Sequence, residues 1–186
     1  MGEPVPSLRT PQAAIGSAAF FVAAPGTVVG LIPYLITRWE FHHPTPHWQF
    51  AQALGVVLIC AGLVPTVHAF AMFARAGGTP MPLAPTRRLV VTGFNRYIRN
   101  PMYASLIIVL IGQALLFGQA VLLLYAAIMW VVTAAFVRWY EEPTLTREYG
   151  EEYREYRRAV PAWWPRSRPW HPPTSDAGEA RRGEDI

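Results

Sequence analysis

The chain has 186 residues, 52% of them apolar and 15% charged, which is too apolar for an ordinary soluble domain of this size. Its formal charge of +4 rests on sixteen arginines and no lysine, and these stand beside apolar runs, so a membrane surface suits the charge better than nucleic acid does. A single cysteine, Cys60, excludes an intramolecular disulfide and a cysteine metal cluster, and no metal site is expected.

Residues 1 to 12 hold three prolines and Arg9 without the basic, apolar and small-residue sections of a signal peptide, and read as a short disordered arm. Ala13 to Ile36 is then a charge-free run long enough to cross the ~30 Å hydrocarbon layer. Pro25 and Pro33 should kink this first span, which is tolerable where neighbouring helices satisfy the carbonyls they free. Arg38, Trp39, Glu40 and the aromatics after them mark an interface. His42, His43 and His47 follow, and the prolines among them favour a solvated loop over a metal site.

Phe50 to Ala74 is the second span. Gly55 and Gly62 lie two turns apart on one face, where a helix or a ligand can approach the backbone; spacing alone favours helix packing. His68 at such depth either lines a wet site or is satisfied by a neighbouring carbonyl. The stretch from 75 to 92, with Gly77-Gly78, Pro80, Pro82 and Pro85, is a connecting loop.

A helix should start at Pro101, which suits the first helical position, behind the capping residue Asn100. Pro101 to Phe117 and Gln119 to Tyr140, separated by Gly118, predict a tight hairpin of two further spans. After Glu141-Glu142-Pro143, the recurrence of Leu145, Tyr149, Tyr153, Tyr156 and Val160 among charges predicts an amphipathic helix at the headgroup level, anchored by Trp163, Trp164 and Trp170. The loop from 75 to 100 holds five arginines, the tail from 138 nine and the turn at 118 none, which places loop, tail and both termini in the cytoplasm. The expected fold is all-α: an integral membrane protein with about four transmembrane helices, the last two a tight hairpin, and a C-terminal interfacial helix. One domain should cover 1–166, with a disordered polar tail at 167–186.

Arg96, Arg99 and Tyr103 open the third span on the side where Glu141 and Glu142 close the fourth. Arginines beside the positive end of a helix attract carboxylates and phosphates, and the paired acids attract a cation. A ligand bearing both charges would fit. The alternative is that the arginines serve topology and that Glu141 or Glu142 pairs with Arg138 one turn away.

The run Gly93-Phe94-Asn95-Arg96-Tyr97-Ile98-Arg99-Asn100-Pro101-Met102-Tyr103, the hairpin, Glu141-Glu142-Pro143, and Tyr149-Gly150 with Tyr153, Tyr156 and Val160-Pro161 resemble the isoprenylcysteine carboxyl methyltransferase and phospholipid methyltransferase superfamily over about residues 50 to 166. The resemblance implies S-adenosylmethionine as cofactor, bound on the cytoplasmic side of the hairpin, and a lipid or prenylated amphiphile as substrate. It implies that Arg99, Asn100, Pro101, Tyr103, Glu141 and Glu142 bind the cofactor, and that Arg99, Asn100 and Glu142 serve catalysis. Cys60, Ala61 and Gly62 look like the glycine-bearing cofactor segment of phosphatidylethanolamine N-methyltransferase, although Cys60 stands where that relative has glycine. Asn100 departs from the histidine of the prenylcysteine enzymes and resembles the Asn-Pro form of the phospholipid enzymes. Two rival expectations are an NADPH-dependent membrane reductase of the sterol reductase type and a non-catalytic membrane protein with the same fold.

Overall fold

The computed structural model describes residues 23–75, 89 and 91–172. Among these the chain forms helices α1 (Ala23–Thr37), α2 (Gln49–Arg75), α3 (Pro101–Phe117), α4 (Ala120–Phe136) and α5 (Glu142–Ala159), a 3-10 turn at Gly93–Arg96 and a π turn at Val137–Glu141, with no strand. The expected arm, the beginning of the first span, most of the 75–92 loop and the end of the tail lie outside the described residues. The chain divides into two compact units, one formed by Met1–Pro85 and Met102–Ala134, the other by Thr86–Pro101 and Ala135–Ile186.

In the first unit Val109, Leu110 and Leu122 are fully buried, yet much of the apolar surface faces outward. Leu54, Val57, Val64 and Val67 of α2 and Leu124, Ile128, Val131 and Val132 of α4 are exposed. Gly55, Gly62, Thr66, Ser105, Gly112 and Gln113 share the interior with Val109, Leu110 and Leu122. Two helical stretches, Gln49–His68 and the one beginning at Ala120, are long and apolar enough to cross a membrane, and only 17% of the most apolar window of each is buried. A core helix of a soluble protein would be mostly covered, so these faces suit lipid. α1 and α3 are shorter apolar helices.

Small residues let α2 and α3 approach backbone to backbone. A Cβ at Gly55 would stand 2.6 Å from the Gly112 carbonyl oxygen, and one at Gly62 would stand 2.8 Å from that of Ser105. Thr66 and Ser105 join their hydroxyls at 2.9 Å across the same seam. In α1, Pro33 has no N–H to give the Val29 carbonyl one turn earlier, and a π turn occupies Thr27–Leu31. Gln113 Nε2 donates to Val29 O at 2.6 Å and the Tyr125 hydroxyl to Val28 O at 3.2 Å. The neighbours thus supply the bonds that proline cannot.

The α3–α4 turn is closed by Gly118 at φ +66°, where a Cβ would fall 2.2 Å from the His42 carbonyl oxygen. The loop after α1 is fastened there: the His42 N–H donates to Phe117 O at 2.8 Å, Trp48 Nε1 to Leu115 O at 3.0 Å, and Gln119 Nε2 to Glu40 O at 3.1 Å.

The second unit has a core of ordinary kind, with Tyr153, Tyr156 and Val160 at its centre and Leu89, Val91, Leu145 and Trp170 around them. The amphipathic helix predicted from the periodicity is present as α5 but is broken at Gly150, whose φ of 56° and ψ of −124° are open to glycine and strained for other residues. Val160 leaves the helix in extended conformation, as the residue before a proline prefers. The chain then runs back along the 93–100 segment. Arg99 and Asn100 donate their backbone N–H groups to Pro161 O and Ala162 O, at 2.9 and 3.3 Å, while Arg166 and Trp170 donate theirs to Tyr97 O and Arg96 O, both at 2.9 Å. Trp170, read from the sequence as an interfacial anchor, packs on the Tyr156 ring at 5.3 Å, whereas Trp164 is 79% exposed.

Candidate functional site

The 3-10 turn starts at Gly93, at φ 57°, and is followed by an irregular stretch that delivers Arg99 two residues before the start of α3. Asn95 steadies this stretch: its side-chain amide donates to Arg99 O at 3.3 Å, and its own carbonyl accepts the Tyr156 hydroxyl at 2.7 Å. Asn100 is buried and donates Nδ2 to Ala162 O at 3.1 Å. The returning strap therefore holds both residues by backbone and side chain.

Arg99 and Glu142 form an ion pair, with Arg99 Nη1 donating to Glu142 Oε1. Their side chains are 12% and 6% exposed, so the pair is largely withdrawn from water. Arg99 Nε donates to Val160 O at 2.9 Å, which fixes the guanidinium plane. A guanidinium has five N–H donors; these bonds engage two of them, and Arg99 also donates a hydrogen bond to the Tyr153 hydroxyl. Arg157 Nη2 stands 3.2 Å from the second carboxylate oxygen, Glu142 Oε2, near enough for charge attraction. It is not aligned as a donor, so among the described residues Oε2 is buried without a hydrogen-bond partner.

Glu142 opens α5 and Arg157 lies in its last turn. Fifteen residues of straight helix would hold them roughly 22 Å apart. The break at Gly150 removes that separation and brings both ends of α5 to one carboxylate. Tyr153 and Tyr156 complete the surroundings. Burial pushes both phenols above their ordinary range, while the Arg99 charge pulls them back, so they stand as neutral hydroxyls beside the pair.

Of the residues singled out in the sequence, Arg99, Asn100, Pro101, Glu141 and Glu142 belong to the second unit, and Arg99 and Glu142 meet directly. Cys60, Ala61, Gly62 and Tyr103 belong to the first unit. There Cys60 and Ala61 are exposed, and the face of Gly62 is taken up by Ser105 and Val109 of α3. Pro65 withholds an N–H from the Ala61 carbonyl. The partners found for Glu142 are Arg99 and Arg157. Sequence reasoning missed Arg157 and the strap carbonyls; the available signals were a glycine inside an amphipathic helical pattern and Val160-Pro161 at its end.

An all-helical membrane protein with a buried Arg–Glu pair, closed by the segment after its last helix, is the class these features define. The family model described as phospholipid methyltransferase matches residues 50–152, more than half of the chain, and the protein belongs to that family. It is accordingly a methyltransferase of the lipid-modifying kind. Searches of curated proteins and of solved structures returned no match.

Proposed function

We propose that the protein uses S-adenosylmethionine to methylate an oxygen or nitrogen of a lipid or other amphiphile, prenylated compounds included. The observation that supports this is the buried Arg99–Glu142 pair with its unfilled acceptor, Glu142 Oε2. The cofactor bears an ammonium and ribose hydroxyls, which are donors, and a carboxylate, which accepts; the residues present fit it. Glu142, with Glu141 beside it in sequence, holds the amine or ribose, and the remaining N–H groups of Arg99 hold the carboxylate. Asn100 keeps Arg99 in register through the strap bonds, and Pro101 starts α3 directly after it.

When bound, the cofactor supplies a methyl group on a sulfonium, electrophilic enough to need no covalent enzyme intermediate. The protein contributes position and exclusion of water. The buried pair is suited to this, because charges fixed in a dry site do not reorganise as the sulfonium charge disappears. A protonated amine acceptor must also lose a proton, and a glutamate is the proposed base.

We place the active site on the cytoplasmic side of a multi-pass protein with four spans, from the arginine counts. Labelling of intact cells tests this with Cys60 replaced by alanine and Thr45→Cys or Thr86→Cys introduced: reagent from outside should reach 45 and not 86. The chemistry is tested by incubating purified protein and native lipid extract with methyl-labelled cofactor and identifying the labelled product. Arg99→Lys keeps the charge but loses the planar fork, and should weaken S-adenosylmethionine binding by about tenfold with normal expression. Binding of NADPH in place of S-adenosylhomocysteine would overturn the proposal.

A further inference from the structure

Two arginines share the Glu142 carboxylate: Arg99 on Oε1 and Arg157 near Oε2. The two arginines are held very differently. Arg99 is 12% exposed, donates to Val160 O as well, and has its backbone N–H fastened to Pro161 O. The Arg157 side chain is 41% exposed, sits in the last turn of α5, and meets Oε2 without hydrogen-bond alignment. One arginine is built in and the other is a loose counter-ion.

A cationic ligand group that donates to Oε2 would meet Arg157 at the same oxygen. Two cations cannot both gain from a single negative charge that already serves a third, and like charges at such distances repel. Arg157 is the group able to leave, because its exposed side chain can turn to water at little cost. We infer that Arg157 is an exchangeable counter-ion: it neutralises Glu142 in the empty protein and is displaced from Oε2 by the cationic end of the cofactor. This rests on the cofactor reading above. Arg157 is thus a specificity residue, since a ligand whose donor is a neutral hydroxyl gains less from displacing it than one whose donor is an ammonium.

The exchange predicts opposite signs for two measurements. Removing Arg157 leaves the buried carboxylate short of positive charge, so the empty protein should melt lower while its affinity for a cationic ligand rises. Calorimetric titration of the full chain in detergent with S-adenosylhomocysteine, which keeps the ammonium, should show Arg157→Ala binding about fivefold tighter than wild type. Arg157→Gln, which preserves the length of the stem, should act in the same direction. In a Glu142→Gln background the Arg157→Ala effect on affinity should vanish, because the shared charge is gone. Equal or weaker binding in both Arg157 variants would overturn the exchange and leave the cofactor reading standing. Absence of binding by wild type would overturn that reading itself, and the exchange with it.

Discussion

The two units solve the problem of burial in opposite ways. In the first, glycine, serine, threonine and glutamine are buried beside Val109, Leu110 and Leu122 while a broad belt of leucine, isoleucine and valine faces out; in the second, Tyr153, Tyr156 and Val160 form the core, Arg99 and Glu142 are drawn in beside it, and Trp139, Tyr140 and Trp164 stay exposed. The difference follows from the solvent. Against lipid an apolar side chain gains nothing by turning inward, so helices associate through close backbone contact and a few polar bonds. Against water the hydrophobic effect acts, and an ion pair placed inside such a core must be satisfied by its surroundings or it costs stability.

Predictions that break or sharpen this contrast can be ordered by size. The largest effect is expected from Arg99→Ala, which takes the hydrogen-bonded arginine from Glu142, whose side chain is 6% exposed, and leaves it the unaligned Arg157. Removing one partner of a buried pair costs about 3 to 5 kcal/mol, measurable as a fall in thermal midpoint of the ligand-free protein in detergent. A loss below 1 kcal/mol would mean that the pair is open to water. Next comes Gly55→Leu in the first unit, where the new side chain meets the Gly112 carbonyl and the Leu116 backbone, which cannot move aside as a side chain can. About 3 kcal/mol is expected from such overpacking, read from denaturant titration in mixed micelles.

Gly150→Ala should cost about 1 to 3 kcal/mol through backbone strain alone, since nothing lies within 4 Å of the Cβ it would add. It should also disturb the approach of Arg157 to Glu142, so that a second change at Arg157 adds less than it does in wild type. Smallest of all is Thr66→Val, which deletes the hydroxyl contact to Ser105. Side-chain hydrogen bonds between membrane helices average about 0.6 kcal/mol, and equilibrium unfolding of this variant should show a loss of that order. A loss several times larger would indicate that the seam depends on its hydroxyls more than on its glycines.

Much of this molecule was legible before its structure was. Helix starts and stops are local matters, and Pro101 began a helix and Gly118 parted two where their backbone chemistry required it. The apolar runs, the amphipathic period of α5 and the family motif likewise belong to short stretches of chain. The meeting of Arg99 with Glu142 was anticipated as a convergence of acids and arginines, because the topology expected from the sequence puts the segments they flank on one side. Its third member was not, since Arg157 reaches the carboxylate only through the break at Gly150, and periodicity treats a glycine as one more position on a helix. Helix packing of Gly55 and Gly62 was favoured by their spacing; the tertiary structure alone decided that α3 is the partner, that Gln113 and Tyr125 satisfy the carbonyls around a π turn, and that the chain beyond Val160 returns to bind Arg99 and Asn100. Each of these depends on atoms brought close from distant parts of the chain, and which donor meets which acceptor is set by packing, about which spacing along the sequence carries no information.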